Sequence, residues 1–185
     1  MPNNRLHRLF LLVVLVYVPI TAQTIYTVDQ ELSEVTFKVT HLGLLTVDGK
    51  FTEFEGQITI EEGELTALQS DVNVNSVFTD NEERDSILKG DTYFDAAQFP
   101  NISFKATNVE RNVAGEQIVV GLMTIKDVER IIQFPITLEF VKKNTGLIFK
   151  AEPTISRSDF NLEFGSMNSL VGDKVRIKLL IYAFK

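Results

Sequence analysis

The sequence predicts an all-β fold of eight antiparallel strands, arranged as a sandwich or a barrel. Short segments of alternating apolar and polar residues recur along the chain, and turns containing glycine or asparagine separate them. Only the stretch 76–104 interrupts this alternation with the pattern of a helix. Several strands are apolar on one face only, so that face is expected to form the interior.

The first residues carry the pattern of a secretory signal peptide and are not expected to belong to the fold. Arg5 and Arg8 precede an apolar run at 9–18, and small residues at 21–23 offer a cleavage region. This run is well short of the roughly 20 residues that a membrane-spanning helix needs. We expect a signal peptide at 1–23 and a single mature domain at 24–185 without a transmembrane anchor. The expected location is periplasmic or secreted.

Composition narrows the class of protein further. The chain has 185 residues, a formal net charge of −7 and no cysteine. It is long enough for a sizeable core, and without disulfides that core must hold the fold together. An acidic surface repels nucleic-acid phosphates, so nucleic acid is not an expected partner. Whether the chain forms a homodimer is left open by the sequence.

Eight segments have the alternation of half-buried strands. They span 34–40, 51–60, 65–76, 102–110, 117–126, 131–142, 147–156 and about 174–183. The segment 41–49 contains two glycines and is predicted to be a turn. Gly56 predicts a bend or a bulge in the second strand, and Pro135, which has no N–H, predicts an edge or a bend in the sixth strand.

The faces that the alternation assigns to the interior are rich in aliphatic and aromatic side chains. The candidate lining residues are Val35, Phe37, Val39, Phe51, Phe54, Ile58, Val72, Val74, Ile102, Phe104, Leu122, Phe134, Ile136, Leu138, Val175, Ile177 and Leu179. A barrel of eight ten-residue strands would be roughly 25 Å tall, a size that either fills with side chains or holds one small ligand. The alternation is compatible with both.

The interrupting stretch 76–104 is predicted to contain a short helix followed by an aromatic loop. Thr79 and Asp80 are good N-cap residues, Lys89 suits the last turn, and Gly90 suits the C′ position. Together with an irregular segment at 157–172, this insert is expected to close one end of the barrel. The candidate lid and mouth residues are Phe78, Leu88, Phe94, Phe99, Phe160, Arg84, Asp85, Asp95, Arg157 and Asp159.

The charged members of this set have two interpretations. They could hold a ligand headgroup at the barrel mouth, or they could pair with one another and fix the irregular segments to the rim. Pairing is the favoured interpretation, because ion pairs that fix loop geometry are common.

The sequence does not predict catalysis, a metal or a cofactor. His41 is the only histidine after the predicted signal peptide, and no nucleophile-elbow motif is present. We expect His41 to make a structural hydrogen bond at a strand end. A zinc site needs more histidine or cysteine ligands than this chain offers. The acidic residues at 80–85 lack the spacing and glycine of a calcium loop, so they are expected to form a solvated turn.

A series of motifs across residues 26–184 follows the order found in one known family. They are Ser33, Val35, Phe37, Val39, His41, Gly43, Gly49, Phe51, Phe54 and Gly56, then Ser76, Thr79, Arg84-Asp85, Leu88-Lys89, Phe94-Asp95, Phe99-Pro100 and Ile102-Ser103-Phe104, then Gly121 to Ile125, Arg157 to Phe160 and Val171 to Asp173. In the order and spacing of these motifs, the chain resembles the YceI-like family.

The resemblance implies a lipocalin-like antiparallel barrel, usually exported, that encloses a long apolar pocket for polyisoprenoid or related amphiphilic lipids. We therefore expect a non-catalytic binding protein that encloses an isoprenoid or quinone-like lipid for transport, storage or sequestration. One alternative is a secreted, solid-cored barrel that acts as an interaction module. Another is an enzyme that acts on a lipid substrate.

Overall fold

The structure, a computed structural model, describes residues 22–41, 43, 45–141, 145–163 and 165–185. Most of the predicted signal peptide falls on residues 1–21, outside this range, and it stays a prediction. Residues 42 and 44 of the predicted turn, residue 142 at the end of the predicted sixth strand and residue 164 of the predicted irregular segment also lie outside it. None of the helices in these ranges is long and apolar enough to cross a membrane.

Eleven strands form one antiparallel sheet within the described ranges. They are β1 (Gln23–His41), β2 (Leu45–Phe51), β3 (Phe54–Glu61), β4 (Glu64–Asn73), β5 (Val77–Phe78), β6 (Asn101–Arg111), β7 (Gln117–Ile125), β8 (Val128–Val141), β9 (Gly146–Ala151), β10 (Thr154–Ser156) and β11 (Val171–Phe184). The α-helix α1 spans Glu82–Lys89, and 3₁₀ helices span Val74–Ser76, Arg157–Phe160 and Gly165–Leu170.

Eight of these strands close into a barrel. The order around the ring is β1, β3, β4, β6, β7, β8, β9 and β11, and the pairing of β11 with β1 closes it. The predicted eight-stranded antiparallel barrel is therefore confirmed. The remaining strands extend the wall, because β2 pairs with β1, β5 pairs with β2, and β10 pairs with β11.

Strand β1 is longer than predicted because it pairs with two different strands along its length. Residues 23–27 pair with β3 and residues 35–41 pair with β2, while β11 pairs with both parts. Between the two parts the register shifts, and the Ser33 hydroxyl donates to the Asp29 carbonyl at 2.6 Å. This irregularity breaks the alternation, so the sequence pattern becomes regular only at residue 34.

Several predicted strand boundaries were wrong. The segment 41–49 is not a simple turn, since β2 begins at Leu45. The predicted strand 51–60 is divided between β2 and β3, the predicted strand 65–76 ends at Asn73, and the predicted strand 147–156 is divided between β9 and β10. Short breaks of this kind preserve the average alternation, which is why the pattern concealed them.

Gly56 and Pro135 each mark a local feature of the sheet. Gly56 pairs in regular register, and the register between β3 and β4 shifts instead at Thr59 and Ile60, where Thr66 of β4 is the extra residue. Gly56 lets the backbones of β3 and β4 lie close together, because a Cβ there would be only 2.9 Å from the Gln69 carbonyl oxygen. Pro135 lies in β8 immediately before the ladder to β9 begins, so the expectation of a local edge is confirmed.

The interior face of β7 is the opposite of the one predicted. Val119 and Ile125 are the buried positions, at 0% and 2% exposure, and Met123 packs against the core with them. Leu122 therefore lies on the outer face, where it pairs with the exposed Ile131. Both faces of this strand are apolar, so alternation alone could not identify which one turns inward.

One end of the barrel is a packed core. Tyr26, Val119, Leu147 and Ala183 are each no more than 2% exposed. The Tyr26 ring lies 6.5 Å from the Phe140 ring. This end needs no lid, because its own side chains fill it.

Candidate functional site

The other end of the barrel is hollow. A cavity of about 420 Å³ lies there, within the range of 300–1,000 Å³ that is typical of small-molecule sites. The ring strands, β2, α1 and the loop after α1 all contribute side chains to its wall. Inward-facing residues such as Phe37, Val175 and Ile177 remain only half-buried here, because they border empty space. The barrel is therefore filled at one end and hollow at the other.

Most of the predicted lining residues border this cavity. They are Val35, Phe37, Val39, Phe51, Phe54, Ile58, Val72, Ile102, Phe104, Phe134, Val175, Ile177 and Leu179. Of the predicted lid and mouth residues, Leu88, Phe94 and Arg84 also border it. Their role in binding a ligand stays a prediction.

Four predicted lining residues lie away from the cavity. Val74 is buried in the 3₁₀ helix after β4, and Leu122 is on the outer face of β7. Ile136 and Leu138 face inward, but they lie on β8 beyond the part of that strand that borders the cavity. Alternation indicates which face of a strand is inside, but it carries no information about height along the barrel axis.

The other predicted lid and mouth residues do not border the cavity either. Phe78 is 45% exposed on the outer surface, Phe99 is half-buried, Phe160 is buried in the core, and Asp159 is exposed. Asp85, Asp95 and Arg157 are buried in local hydrogen-bonding networks. Their contacts support the interpretation that charged residues fix the irregular segments, although through hydrogen bonds to hydroxyl, amide and backbone groups.

The structure adds wall residues that the sequence analysis missed. They include Val28, Val47, Leu68, Tyr93, Met123, Ile125, Ile132, Phe149, Ile155, Leu162, Val171 and Ile181. Those on regular strands could have been found by extending the alternation. Tyr93 and Leu162 lie outside the strands, where no periodic signal marks the inward direction.

A chain of aromatic rings joins the wall to the loop after α1. The Phe37 and Phe51 rings are 5.5 Å apart, and Phe51 and Phe94 are 6.3 Å apart. Phe94 in turn meets Tyr93 edge-on at 4.7 Å. Edge and tilted contacts of this kind stabilise aromatic clusters beyond their buried area. The loop is thereby packed onto the wall as part of the cavity lining.

Helix α1 begins differently from the prediction. Its N-cap is Asn81, whose side-chain oxygen accepts the Arg84 N–H at 2.8 Å, and neither Thr79 nor Asp80 fills that position. Lys89 lies in the last turn as predicted. Gly90, which was predicted at the C′ position, is instead the C-cap, with an extended backbone at φ −66°. Asn81 was missed because three successive residues are all good caps.

Thr79 has a different role, as the centre of a polar cluster at the mouth. Its N–H and hydroxyl both donate to the Asp85 carboxylate, at 2.9 and 2.5 Å. Arg84 donates to Thr79 through Nε to the hydroxyl oxygen at 2.7 Å and through Nη2 to the carbonyl at 2.6 Å. The cluster holds the start of α1 against β5 and fixes the direction of the Arg84 side chain.

Arg157 holds the second irregular segment together from inside. Its guanidinium donates to the carbonyls of Leu162, Asn168, Val171 and Gly172 and to the Asn168 side chain, at 2.6–3.1 Å. Arg157 is 4% exposed, so water contributes little to its solvation and these acceptors replace it.

Two ionisable groups close to this segment have displaced pKa values. Burial raises the pKa of Tyr93 to about 12, and the positive charge of Arg157 offsets part of that rise. Hydrogen bonds from Ser158, including its N–H at 3.0 Å, lower the pKa of Asp173. Both shifts follow from structural contacts.

His41 borders the cavity. Within the described ranges its side chain has no hydrogen-bond partner, and its backbone pairs with Leu45 and Val171. The predicted structural hydrogen bond of the side chain stays a prediction. In the same ranges no three histidine, aspartate or glutamate side chains gather as a metal site would require.

A closed eight-stranded antiparallel barrel with an apolar cavity at one end defines a lipocalin-like class of β-barrel. The YceI-like domain family matches residues 26–183 of this chain. The chain belongs to that family, as its motifs predicted.

Individual relatives agree with this assignment. A UPF0312 protein of Yersinia pestis (strain Pestoides F) is 32% identical over 149 residues, which cover 74% of this chain and 75% of the relative. The crystal structure of Burkholderia cenocepacia BcnA matches with a TM-score of 0.77 and 23% identity over 84% of this chain and 98% of that one.

A second similar structure is that of a polyisoprenoid binding domain from Saccharophagus degradans implicated in plant cell wall breakdown. Its TM-score is 0.69 and its identity 17%, over 86% of this chain and 97% of that chain. At 23% and 17% identity, the similarity to BcnA and to this domain shows a shared fold.

Proposed function

We propose that the protein is an exported, non-catalytic binding protein that encloses a long apolar or amphiphilic lipid, of the polyisoprenoid or quinone-like class. The observation that carries the proposal is the cavity of about 420 Å³, whose wall is mostly aliphatic and aromatic. One water molecule needs only about 10–15 Å³, and an apolar wall offers it few hydrogen-bond partners. A hydrocarbon chain is the occupant that matches such a wall.

Burial would supply most of the affinity. At about 25 cal/mol per Å², burying roughly 300 Å² of hydrocarbon contributes about 7 kcal/mol before the costs of ordering the ligand. No specific hydrogen bond is required for that contribution. The fold shared with a polyisoprenoid binding domain supports an isoprenoid chain as the occupant. Transport, storage and sequestration would all use the same enclosed site.

The two alternatives fare differently. A solid-cored interaction module is disfavoured, because the hollow end is a large part of the barrel interior. An enzyme acting on an enclosed lipid would have to use His41, the one histidine at the cavity wall within the described ranges. Among the described residues no side chain is hydrogen-bonded to the His41 side chain to orient it as a general base. A His41→Ala variant that binds lipid normally but loses a turnover activity would favour the enzyme instead.

The bound lipid can be identified directly. Protein purified from its native host is extracted with organic solvent, and the extract is analysed by mass spectrometry. The expected result is an isoprenoid or quinone-like lipid in a near-stoichiometric amount. Repeated preparations that yield no lipid would contradict the proposal.

Substitution of neighbouring residues on β7 tests whether the lipid occupies the cavity. Met123→Trp places a bulky indole ring at the cavity wall, whereas Leu122→Trp places the same ring on the outer face of β7. We expect roughly tenfold weaker lipid binding for Met123→Trp, equivalent to about 1.4 kcal/mol, and no change for Leu122→Trp. Titration of delipidated protein measures both. Equal binding by the two variants would place the lipid outside the barrel.

A further inference from the structure

We infer that the cavity mouth contains a site for an oxyanion headgroup, a carboxylate or a phosphate, and that Arg84 binds it. The inference rests on the proposed lipid-binding function, because the headgroup would belong to the chain held in the cavity. It assigns the ligand a chemical class that the apolar wall does not specify.

Arg84 occupies the polar margin of an otherwise apolar cavity. It lies in the first turn of α1 and borders the cavity together with Thr79, Asn81 and Glu83. Its side chain is partly buried. An amphiphile with its hydrocarbon tail in the barrel would bring its polar end to this margin, because burying that end among apolar side chains would be costly.

The hydrogen bonds of Arg84 leave one edge of the guanidinium available. Thr79 occupies the edge formed by Nε and Nη2, through its hydroxyl and carbonyl oxygens. A guanidinium has five N–H donors, and these two bonds use two of them. The edge formed by Nη1 and Nη2 makes no hydrogen bond within the described ranges. This edge is suited to bidentate binding of a carboxylate or phosphate.

Arg157 is an arginine of this protein whose role is structural, and it provides a comparison for Arg84. Its five N–H donors are matched by five hydrogen bonds, to four carbonyls and one side-chain amide oxygen. To the described residues Arg84 donates only two such bonds, which leaves three of its N–H donors. Holding the residues of the mouth in place therefore uses only some of the hydrogen-bond donors of Arg84.

The neighbouring residues hold Arg84 in place before any ligand binds. The buried Asp85 carboxylate accepts both donors of Thr79, so the oxygens of Thr79 remain oriented toward Arg84. Such preorganisation lowers the ordering cost of binding. Glu83 also borders the mouth, but it is exposed and makes no ion pair with Arg84 in the described part of the chain. Water screens its charge, so it opposes an oxyanion weakly.

Three probes with the same sixteen-carbon chain length test the site: palmitate, hexadecyl phosphate and methyl palmitate. Each is titrated calorimetrically into delipidated wild-type protein and into an Arg84→Gln variant. We expect the variant to bind palmitate and hexadecyl phosphate roughly tenfold to a hundredfold more weakly, and methyl palmitate almost as well as wild type. Arg111→Gln, at the packed end of the barrel, is the matched control and should bind all three probes as wild type does.

The deciding quantity is the affinity for an anionic probe divided by the affinity for methyl palmitate, both measured on the same variant. This ratio does not depend on how much of the sample is folded. A selective loss for palmitate alone supports a carboxylate site, and one for hexadecyl phosphate alone supports a phosphate site. An unchanged ratio in Arg84→Gln would overturn the inference and leave Arg84 as a structural residue. Failure of wild-type protein to bind any of the three probes would instead overturn the proposed function.

Discussion

At the scale of single residues, two glycines make room for aromatic rings of the cavity wall. A Cβ at Gly49 would lie 2.2 Å from the tip of the Phe37 ring. A Cβ at Gly121 would lie 2.3 Å from the Phe104 ring and 2.7 Å from the backbone oxygen of Lys105. The first contact involves a side chain that can turn, whereas the second also involves fixed backbone. The two positions should therefore respond differently to substitution.

We predict that Gly121→Ala lowers the free energy of unfolding by about 1–3 kcal/mol, the usual cost of overpacking. Gly49→Ala should lower the free energy of unfolding by less, because the Phe37 ring can turn toward the cavity. The turned ring would narrow the cavity, so this substitution should weaken ligand binding. Urea unfolding and lipid titration of both variants measure these effects. Equal destabilisation by the two substitutions would contradict the argument from backbone contact.

At the scale of elements, α1 and the loop after it are packed as a fixed part of the wall. Within this loop the N–H groups of Tyr93 and Asp95 donate to the Gly90 carbonyl, and that of Phe94 donates to Leu88. Phe94 is 8% exposed and lies between the rings of Phe51 and Tyr93. A segment with so many internal contacts is not expected to open easily.

We predict that Phe94→Asp lowers stability and ligand retention together. The loss in unfolding free energy should be about 4 kcal/mol, because a buried ring is removed and a carboxylate takes its place. Phe78→Asp, at an exposed position on the outer face, is the control and should cost about 1 kcal/mol or less, mainly through lost contact with Lys50. If Phe94→Asp released lipid without destabilising the barrel, the loop would be a movable lid.

The same elements show how far sequence reasoning reaches. The eight strands followed from alternation, because burying one face of each strand forces a period of two. Their closure into a ring followed from the family resemblance, since alternation is equally compatible with a sandwich. The face of β7 did not follow, since both of its faces are apolar. The N-cap of α1 and the separate roles of Arg84 and Arg157 depend on which groups meet in space. The distinction between Phe134, at the cavity, and Ile136, beyond it, depends on position along the barrel axis.

At the scale of the whole molecule, the raised pKa of Tyr93 links stability to alkaline pH. The pKa of this phenol is about 12 in the folded protein and about 10 when the chain is unfolded. Between these values the unfolded chain loses the proton while the folded protein keeps it, so stability falls as pH rises. Below about pH 10 the contribution is fully present.

We predict that Tyr93→Phe makes unfolding less sensitive to alkaline pH. The decline in unfolding free energy between neutral pH and about pH 12 should be smaller by up to about 2 kcal/mol than in wild type, because phenylalanine has no proton to lose. Urea unfolding at a series of pH values measures the decline. Parallel curves for the two proteins would show that Tyr93 does not govern this behaviour.

The pairing of β1 with β11 has a consequence for how the protein is made. Val28 pairs with Ala183, so closure of the ring joins residues near the two ends of the described chain. During synthesis β1 keeps an open edge until the last strand has emerged, and contacts so distant in sequence form slowly. The barrel can therefore enclose a lipid only after β11 has been synthesised. For a protein that we propose is exported, a chain that crosses the membrane unfolded would close its ring only after β11 has crossed.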